Sequence, residues 1–348
     1  MAWKGIFGHD NIVDQFRFAL ERDRMGSSFL FVGPTGIGKY TFAVKLAQSI
    51  LCETQPDEAM APCEQCSACV QVSAMTHPDL LTIAKPSDRS YIPLELFIGD
   101  REHRMRGGLC HDIALKPFRG GRKVALIDDA DHINVEGANC LLKTLEEPPP
   151  RSVIILVGTS PAKQLPTIRS RCQIVRFQPL PTDIVAKLIL AGGKIIDPDE
   201  AEQIARCGNG SLQKSMEMTV PDLRVFQEMF VKQLSEPALD SIRMANSVTT
   251  FVEDAGKNAA DRRIRIRQAV TFAIDFYQHV LHSVSDSPAP GDYLSGQFAE
   301  QVCSDWLDVE QVAKCLDRCV KAIEDLDRNA NQTTLIECWL DDLARLYC

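Results

Sequence analysis

An apolar run, Phe29-Leu30-Phe31-Val32, passes directly into Gly33-Pro34-Thr35-Gly36-Ile37-Gly38-Lys39-Tyr40 and then into a helical pattern over Thr41 to Ile50. Strand, glycine-rich turn and helix in immediate succession are the context in which a phosphate-binding loop works. The glycines let backbone N–H groups turn inward around a polyphosphate, and Lys39 reaches its outer phosphates. The start of the helix adds a partial positive charge. One position departs from this chemistry. Where a Ser or Thr hydroxyl would hold Mg²⁺, the chain has Tyr40, whose phenol sits on a bulky ring. The loop is built to hold a nucleotide and poorly equipped to use it.

Two further apolar runs extend the pattern. Val124-Ala125-Leu126-Ile127 ends in Asp128, and Val153-Ile154-Ile155-Leu156-Val157 ends at Gly158-Thr159-Ser160. Runs that are apolar without alternation belong to strands covered on both faces, as in a parallel α/β sheet. Between them, Val135 to Glu147 reads as a helix stopped by Pro148-Pro149-Pro150. After Gln178-Pro179-Leu180-Pro181 the character changes. Helical patterns occupy 182–192, 198–207 and 211–219, broken at Gly208-Asn209-Gly210, and long helices follow from Pro221. The polar stretch from Ser283 to Gly296 reads as an exposed loop. The expected organisation is an α/β domain over 1–178, a small helical domain over 179–219 and a helical bundle over 220–348.

The net charge of −9 argues against a surface that is a nucleic-acid grip throughout. A local patch remains open, since Arg101, Arg104, Arg106, Lys116, Arg119, Arg122 and Lys123 crowd into 101–123, where a solvated basic face is an equal reading. With no 18-residue uncharged apolar run and no signal-like start in Met1-Ala2-Trp3-Lys4-Gly5, a cytoplasmic protein without membrane contact is expected. Thiols stay reduced in that compartment, so the thirteen cysteines call for another account than disulfides. Scattered ones such as Cys140, Cys315, Cys319 and Cys338 have apolar neighbours and are expected as small buried hydrophobes. Cys52, Cys63, Cys66 and Cys69 form a cluster spaced Cys-x₁₀-Cys-x₂-Cys-x₂-Cys. Four closely spaced thiolates suit tetrahedral Zn²⁺, and with no position left for substrate the site would be structural. A redox role is disfavoured because neither Cys-x-x-Cys pair is expected at the start of a thioredoxin-like helix.

Within the first domain, four elements follow in order. After the loop comes Asp128-Asp129-Ala130-Asp131, a strand end whose first carboxylate could hold nucleotide-bound Mg²⁺. Asp129 stands where a glutamate would polarise the attacking water, and is about one methylene too short for that reach. Thr159 is placed to sense a γ-phosphate, and Ser170-Arg171-Cys172 comes last.

These residues together resemble the delta-prime family of bacterial replicative clamp-loader subunits, among the AAA+ ATPases. The resemblance spans nearly the whole chain. It includes Phe7-Gly8-His9-Asp10, the loop, the cysteine cluster, Thr76-His77-Pro78-Asp79, the Asp128 strand end and Leu141-Leu142-Lys143-Thr144-Leu145-Glu146-Glu147-Pro148-Pro149. Leu165-Pro166-Thr167-Ile168-Arg169-Ser170-Arg171-Cys172 is its most specific part, and Arg328-Asn329-Ala330-Asn331 is similar to the family's last collar helices. The resemblance implies an AAA+ core with parallel sheet and zinc insertion, a helical lid and an all-α collar that assembles into a ring of five. It implies that Arg171 is an arginine finger entering the ATP site of a neighbouring motor (gamma/tau) subunit. Further partners would be the delta subunit and, through the complex, the sliding clamp and primer-template DNA. The retained glycines and Lys39 leave ATP or ADP binding in place, whereas Tyr40 and Asp129 leave Mg²⁺ and water poorly provided for. Gln213 stands where motor subunits carry a second sensing arginine. No independent ATPase activity is expected. The rival readings are a gamma/tau-type motor subunit, which would keep Ser or Thr after Lys39 and Glu after Asp128, and a stand-alone zinc protein binding nucleic acid. The acidic charge and 7% aromatic content disfavour the latter.

Overall fold

The computed structural model describes residues 3–86, 89–102, 104, 106–119, 121–285, 296, 298 and 307–347. Most of the expected 283–296 loop lies outside the described residues, as do Met1, Ala2 and Gly120. The chain divides into two compact units, Met1–Ile184 and Val185–Cys348.

The first unit is built on five strands, β1 (Ser28–Val32), β2 (Leu80–Ile83), β3 (Lys123–Ile127), β4 (Ser152–Val157) and β5 (Gln173–Arg176). All pairings are parallel, in the order β2-β3-β4-β1-β5. The three continuous apolar runs are the three interior strands, buried at every residue. The outer strands β2 and β5 are four residues each and only partly buried, so they need no run that is apolar at every position. Register Phe31↔Val157 and Val32↔Arg176 brings the ends of β4 and β5 level with the start of the glycine loop.

Alternation along β1 divides the core. Phe29 and Phe31 face Phe16 of α1 (Asp10–Glu21), with ring centroids 5.1 and 5.9 Å away, and Phe31 also meets Phe42 of α2 (Lys39–Ile50) at 5.9 Å. α3 (Ser67–Ser73) lies in the cysteine insertion. On the other face Leu30 and Val32 join Ala125, Ile127, Ile154 and Leu156. They pack under α4 (Leu94–Ile98), α5 (Leu109–Asp112) and α6 (Val135–Glu146), through Phe97, Leu109, Ala138, Leu141 and Leu145. Each of the larger side chains among them contributes about 1.5–3 kcal/mol on burial. α6 begins at Asn134, whose side chain accepts from the Gly137 amide at 2.8 Å, and stops one residue before the expected end, since Glu147 precedes proline and has left the helical region. α7 (Pro166–Arg169) is a single turn before β5.

Among the described residues, the elements that follow β5 are helices: α8 (Thr182–Ala191), α9 (Pro198–Cys207), α10 (Leu212–Glu217), α11 (Pro221–Leu234), α12 (Ser241–Glu253), α13 (Ala259–Val284), α14 (Val309–Asp327) and α15 (Gln332–Leu346). In the second unit Phe226 stacks on Phe251 with centroids 3.7 Å apart, and the Trp339 indole N–H donates to Cys319 Sγ at 3.4 Å. Tyr347 donates to the Leu234 carbonyl at 2.8 Å and shares a 3.2 Å hydrogen bond with the Tyr277 hydroxyl. Cys315 and Cys319 are buried as expected, but Cys338 is exposed and Cys140 only half-buried. Cys338 falls beside the buried α15 stripe of Leu335, Ile336, Trp339, Leu340 and Leu343, so an apolar neighbourhood in sequence does not place it inside. Asn329, with φ of 63°, and Asn331, capping α15 through the Thr334 amide at 3.2 Å, form the turn after α14.

Candidate functional site

The glycine loop adopts the shape its sequence demands. Gly36 and Gly38 have φ of 74° and 92°, and at Gly33 (φ 152°) a Cβ would stand 2.4 Å from the Phe177 carbonyl oxygen. The Gly33 amide donates to the Thr159 carbonyl at 3.0 Å, joining the loop to the end of β4. Pro34 and Thr35 are exposed, whereas Ile37 is buried. His9 sits just before α1, and its Nε2 donates to the Ile37 carbonyl at 2.9 Å while its ring meets Phe177 edge-on. Phe7-Gly8-His9-Asp10 is thereby anchored to the loop. Lys39 is folded back on it: Nζ donates to the carbonyls of Gly33 (2.8 Å) and Pro34 (2.5 Å). Burial lowers the Lys39 pKa, and Asp131 and Asp128 pull it back up.

The acidic strand end does something the sequence did not announce. Burial raises the Asp128 pKa, and its Oδ1 accepts from the Asp129 amide at 2.9 Å. Asp129 itself is exposed, at a left-handed φ of 52°. Burial, then proximity to Asp128, raises the Tyr40 pKa, so a neutral phenol stands beside that carboxylate. Asp131 is the hub. Its buried carboxylate accepts from the Thr159 amide (2.9 and 3.1 Å), from the Thr159 hydroxyl and from Gln164 Nε2 (2.9 Å). The hydroxyl expected to sense a γ-phosphate is engaged within the fold.

Arg171 follows α7 at the surface, with its guanidinium held by its own chain. Nε donates to Glu146 Oε1 at 2.8 Å and Nη2 donates to the same oxygen. Nη1 donates to the Thr167 carbonyl (2.9 Å), an orphan of the short helix, and to Ser170 Oγ (3.2 Å). The next residue, Cys172, is buried in the sheet core, where burial pushes its thiol up to about 12. The core therefore anchors one end of Ser170-Arg171-Cys172 and leaves the other two side chains outside.

The four clustered cysteines converge. The sulfurs of Cys52, Cys63, Cys66 and Cys69 all lie within 4.8 Å of one another, with Cys52–Cys66 at 4.0 Å and Cys63–Cys69 at 3.8 Å. Zn–S bonds of about 2.3 Å in a tetrahedron put sulfurs about 3.8 Å apart, so the set fits zinc. The amides of Cys66 (3.2 Å) and Gln65 (3.5 Å) donate to Cys63 Sγ, and the Cys69 amide donates to Cys66 Sγ at 3.4 Å. Hydrogen bonds from Thr54, Cys66 and Gln65 bring the Cys63 thiol down to about 6. Contrary to the expectation from sequence, Cys66 does cap a helix, α3. What separates a metal site from a redox pair is the convergence of all four sulfurs. Gln48 of α2 secures the cluster, donating to the Cys69 carbonyl and to Ser73 Oγ, both at 2.9 Å.

A model of the family described as "DNA polymerase III, delta subunit" matches residues 8–181, half of the chain. The chain belongs to that family. A DNA polymerase III subunit delta' from Pseudomonas aeruginosa is 35% identical over 191 residues, 55% of each chain. Its counterpart from Bacillus subtilis is 31% identical over 188 residues, 54% of this chain and 51% of that one. A subunit gamma/tau from Mycobacterium bovis is 30% identical over 210 residues, covering 59% of this chain and 34% of that one. The chain thus spans about half the length of the curated delta' relatives it matches. The five-stranded parallel sheet, glycine loop and helical C-terminal part are the AAA+ architecture of this family.

Three of the seven basic residues in 101–123 are engaged from within. Arg119 pairs with Glu53 and donates to Gln71 Oε1 (3.0 Å), Arg122 pairs with Asp57 (2.9 Å), and Lys123 donates to the Asp112 carbonyl (2.9 Å). These three brace the first unit, while Arg101, Arg104, Arg106 and Lys116 are exposed. Gln213 lies on α10 and donates to Glu217 at 3.3 Å. No helix among the described residues is long and apolar enough to cross a membrane. Sequence reasoning assigned no role to Asp131 or Glu146, although both lie inside segments it singled out.

Proposed function

We infer that this chain is a DNA polymerase III clamp-loader subunit of the delta-prime type. It acts as a fixed wall that supplies Arg171 in trans to a neighbouring gamma/tau ATPase subunit. The guanidinium would stabilise charge on the transferring phosphoryl group there. One observation carries the division of labour. The chain's own nucleotide site has Tyr40 at the metal position and the Thr159 hydroxyl bonded to Asp131, whereas Arg171 lies at the surface. ATP or ADP would be held by residues 33–40 without productive Mg²⁺, with Asp128, Asp129 and Thr159 alongside, and Cys52, Cys63, Cys66 and Cys69 would hold one structural Zn²⁺. Residues 1–178 would form the core, 179–219 the lid and 220–348 the collar. The delta subunit, sliding clamp and primer-template DNA would be met within the complex.

The test is reconstitution. The purified chain alone turns over no ATP, and Lys39→Ala removes whatever nucleotide it binds. In the assembled loader Arg171→Ala lowers ATPase about 10³-fold or more at the adjoining site. Turnover by the lone chain, abolished by Lys39→Ala, would favour the motor-subunit reading, which the gamma/tau relative keeps in view.

A further inference from the structure

Four of the five N–H donors of Arg171 are engaged by its own chain. Two of them meet one carboxylate oxygen of Glu146, which compensates the guanidinium charge. A finger serving a neighbour's phosphoryl group needs uncompensated charge and free donors. The conformation in the isolated chain is therefore a stored one. We propose that Glu146 is a positioning residue that holds Arg171 in reserve and gives it up only to a more highly charged competitor, the γ-phosphate of a nucleoside triphosphate on the neighbouring subunit. The proposal rests on the finger reading above and deepens it.

The pair suits such an exchange. Its side chains are 30% and 48% exposed, so solvent screens it and the bond is weak enough to surrender. Glu146 is the last residue of α6, and Arg171 lies 25 residues further on, after α7. The Thr167 carbonyl and Ser170 hydroxyl keep Nη1 in place, so losing the carboxylate frees one side of the guanidinium without casting the residue loose. A neighbour holding only a diphosphate presents less negative charge and competes less well with Glu146. The exchange would make engagement of Arg171 depend on the nucleotide next door.

The experiment uses the reconstituted loader with Glu146→Gln, Arg171→Ala and Glu147→Gln, the last an exposed neighbour without the contact. Glu146→Gln is expected to raise kcat by up to about fivefold, the rate equivalent of about 1 kcal/mol, with KM unchanged, and to flatten the salt dependence of kcat. It should also narrow the difference in subunit affinity between ATP- and ADP-loaded neighbours, a readout that a merely structural role would leave alone. Glu147→Gln should match the wild type. Loss of activity in Arg171→Ala with Glu146→Gln unchanged overturns the reserve and leaves the finger. A fall in kcat for Glu146→Gln overturns it too, since Glu146 would then be aiming the finger. No effect of Arg171→Ala removes the finger reading itself, and the reserve with it.

Discussion

Replacing Asp131 by alanine tests the hub that ties the end of β4 to the acidic strand end. The carboxylate receives three donors: the Thr159 amide, the Thr159 hydroxyl and Gln164 Nε2. The hydroxyl can rotate to another acceptor, but the other two cannot follow. Gln164 is 4% exposed, and the Thr159 amide is fixed at the end of β4. Each donor stranded in the interior costs about 1–3 kcal/mol, so the expected loss is about 2–5 kcal/mol after the lifted desolvation of the carboxylate is allowed for. With two units the whole-chain melt is not a single transition, so the first unit must be read separately. Hydrogen exchange followed by mass spectrometry on peptides spanning β4 and residues 158–164 does this across a urea series. At about 2 kcal/mol per molar urea, the midpoint of that segment falls by about 1–2.5 M. Thr159→Val removes only the hydroxyl and is expected to lose under about 1 kcal/mol. A loss in Asp131→Ala below about 1 kcal/mol, or one no larger than that of Thr159→Val, would refute the reasoning, because the amide and Gln164 would then have other partners.

The purified chain should carry one zinc equivalent by elemental analysis, and Cys63→Ser or Cys69→Ser should lose it and open residues 52–69 to protease; retained zinc would contradict the four-sulfur site. In the metal-free chain, alkylation of Cys63 should reach half its full rate near pH 6, and a midpoint near that of ordinary thiols would remove the assigned amide and hydroxyl bonds. Burial lowers the pKa of His9 and His77 from 6.5, so the unfolded state binds more protons just below that value. Stability of the first unit should be full above pH 6.5 and fall as the pH drops through the folded values; urea midpoints that do not change between pH 7.5 and 5 would sink this. Tyr347→Phe should destabilise the second unit by about 1–3 kcal/mol, since the Leu234 carbonyl and Tyr277 hydroxyl lose their partner. An unchanged denaturation midpoint would mean water takes the place of the hydroxyl.

What could be read from the chain alone was whatever depends on neighbours in sequence. β1, β3 and β4 declared themselves because a strand covered on both faces must be apolar at every position. β2 and β5 did not, because solvent on part of their surface removes that requirement. The glycine loop and the cysteine spacing were equally plain, since backbone conformation and metal geometry restrict residue type locally. Side-chain partnerships were not. Thr159 meets Asp131 across 28 positions, and Arg171 meets Glu146 across 25. Cys338 looked like its buried neighbours but lies beside, not within, the apolar stripe of its helix. The sequence by itself determined a glycine-rich loop between strand and helix, four cysteines at zinc-ligand spacing and an arginine after a short turn. Tertiary structure alone decided that the Thr159 hydroxyl is bonded to Asp131 and that the Arg171 guanidinium is paired with Glu146. Each of those bonds joins groups that only the packing of helices against the sheet brings within reach.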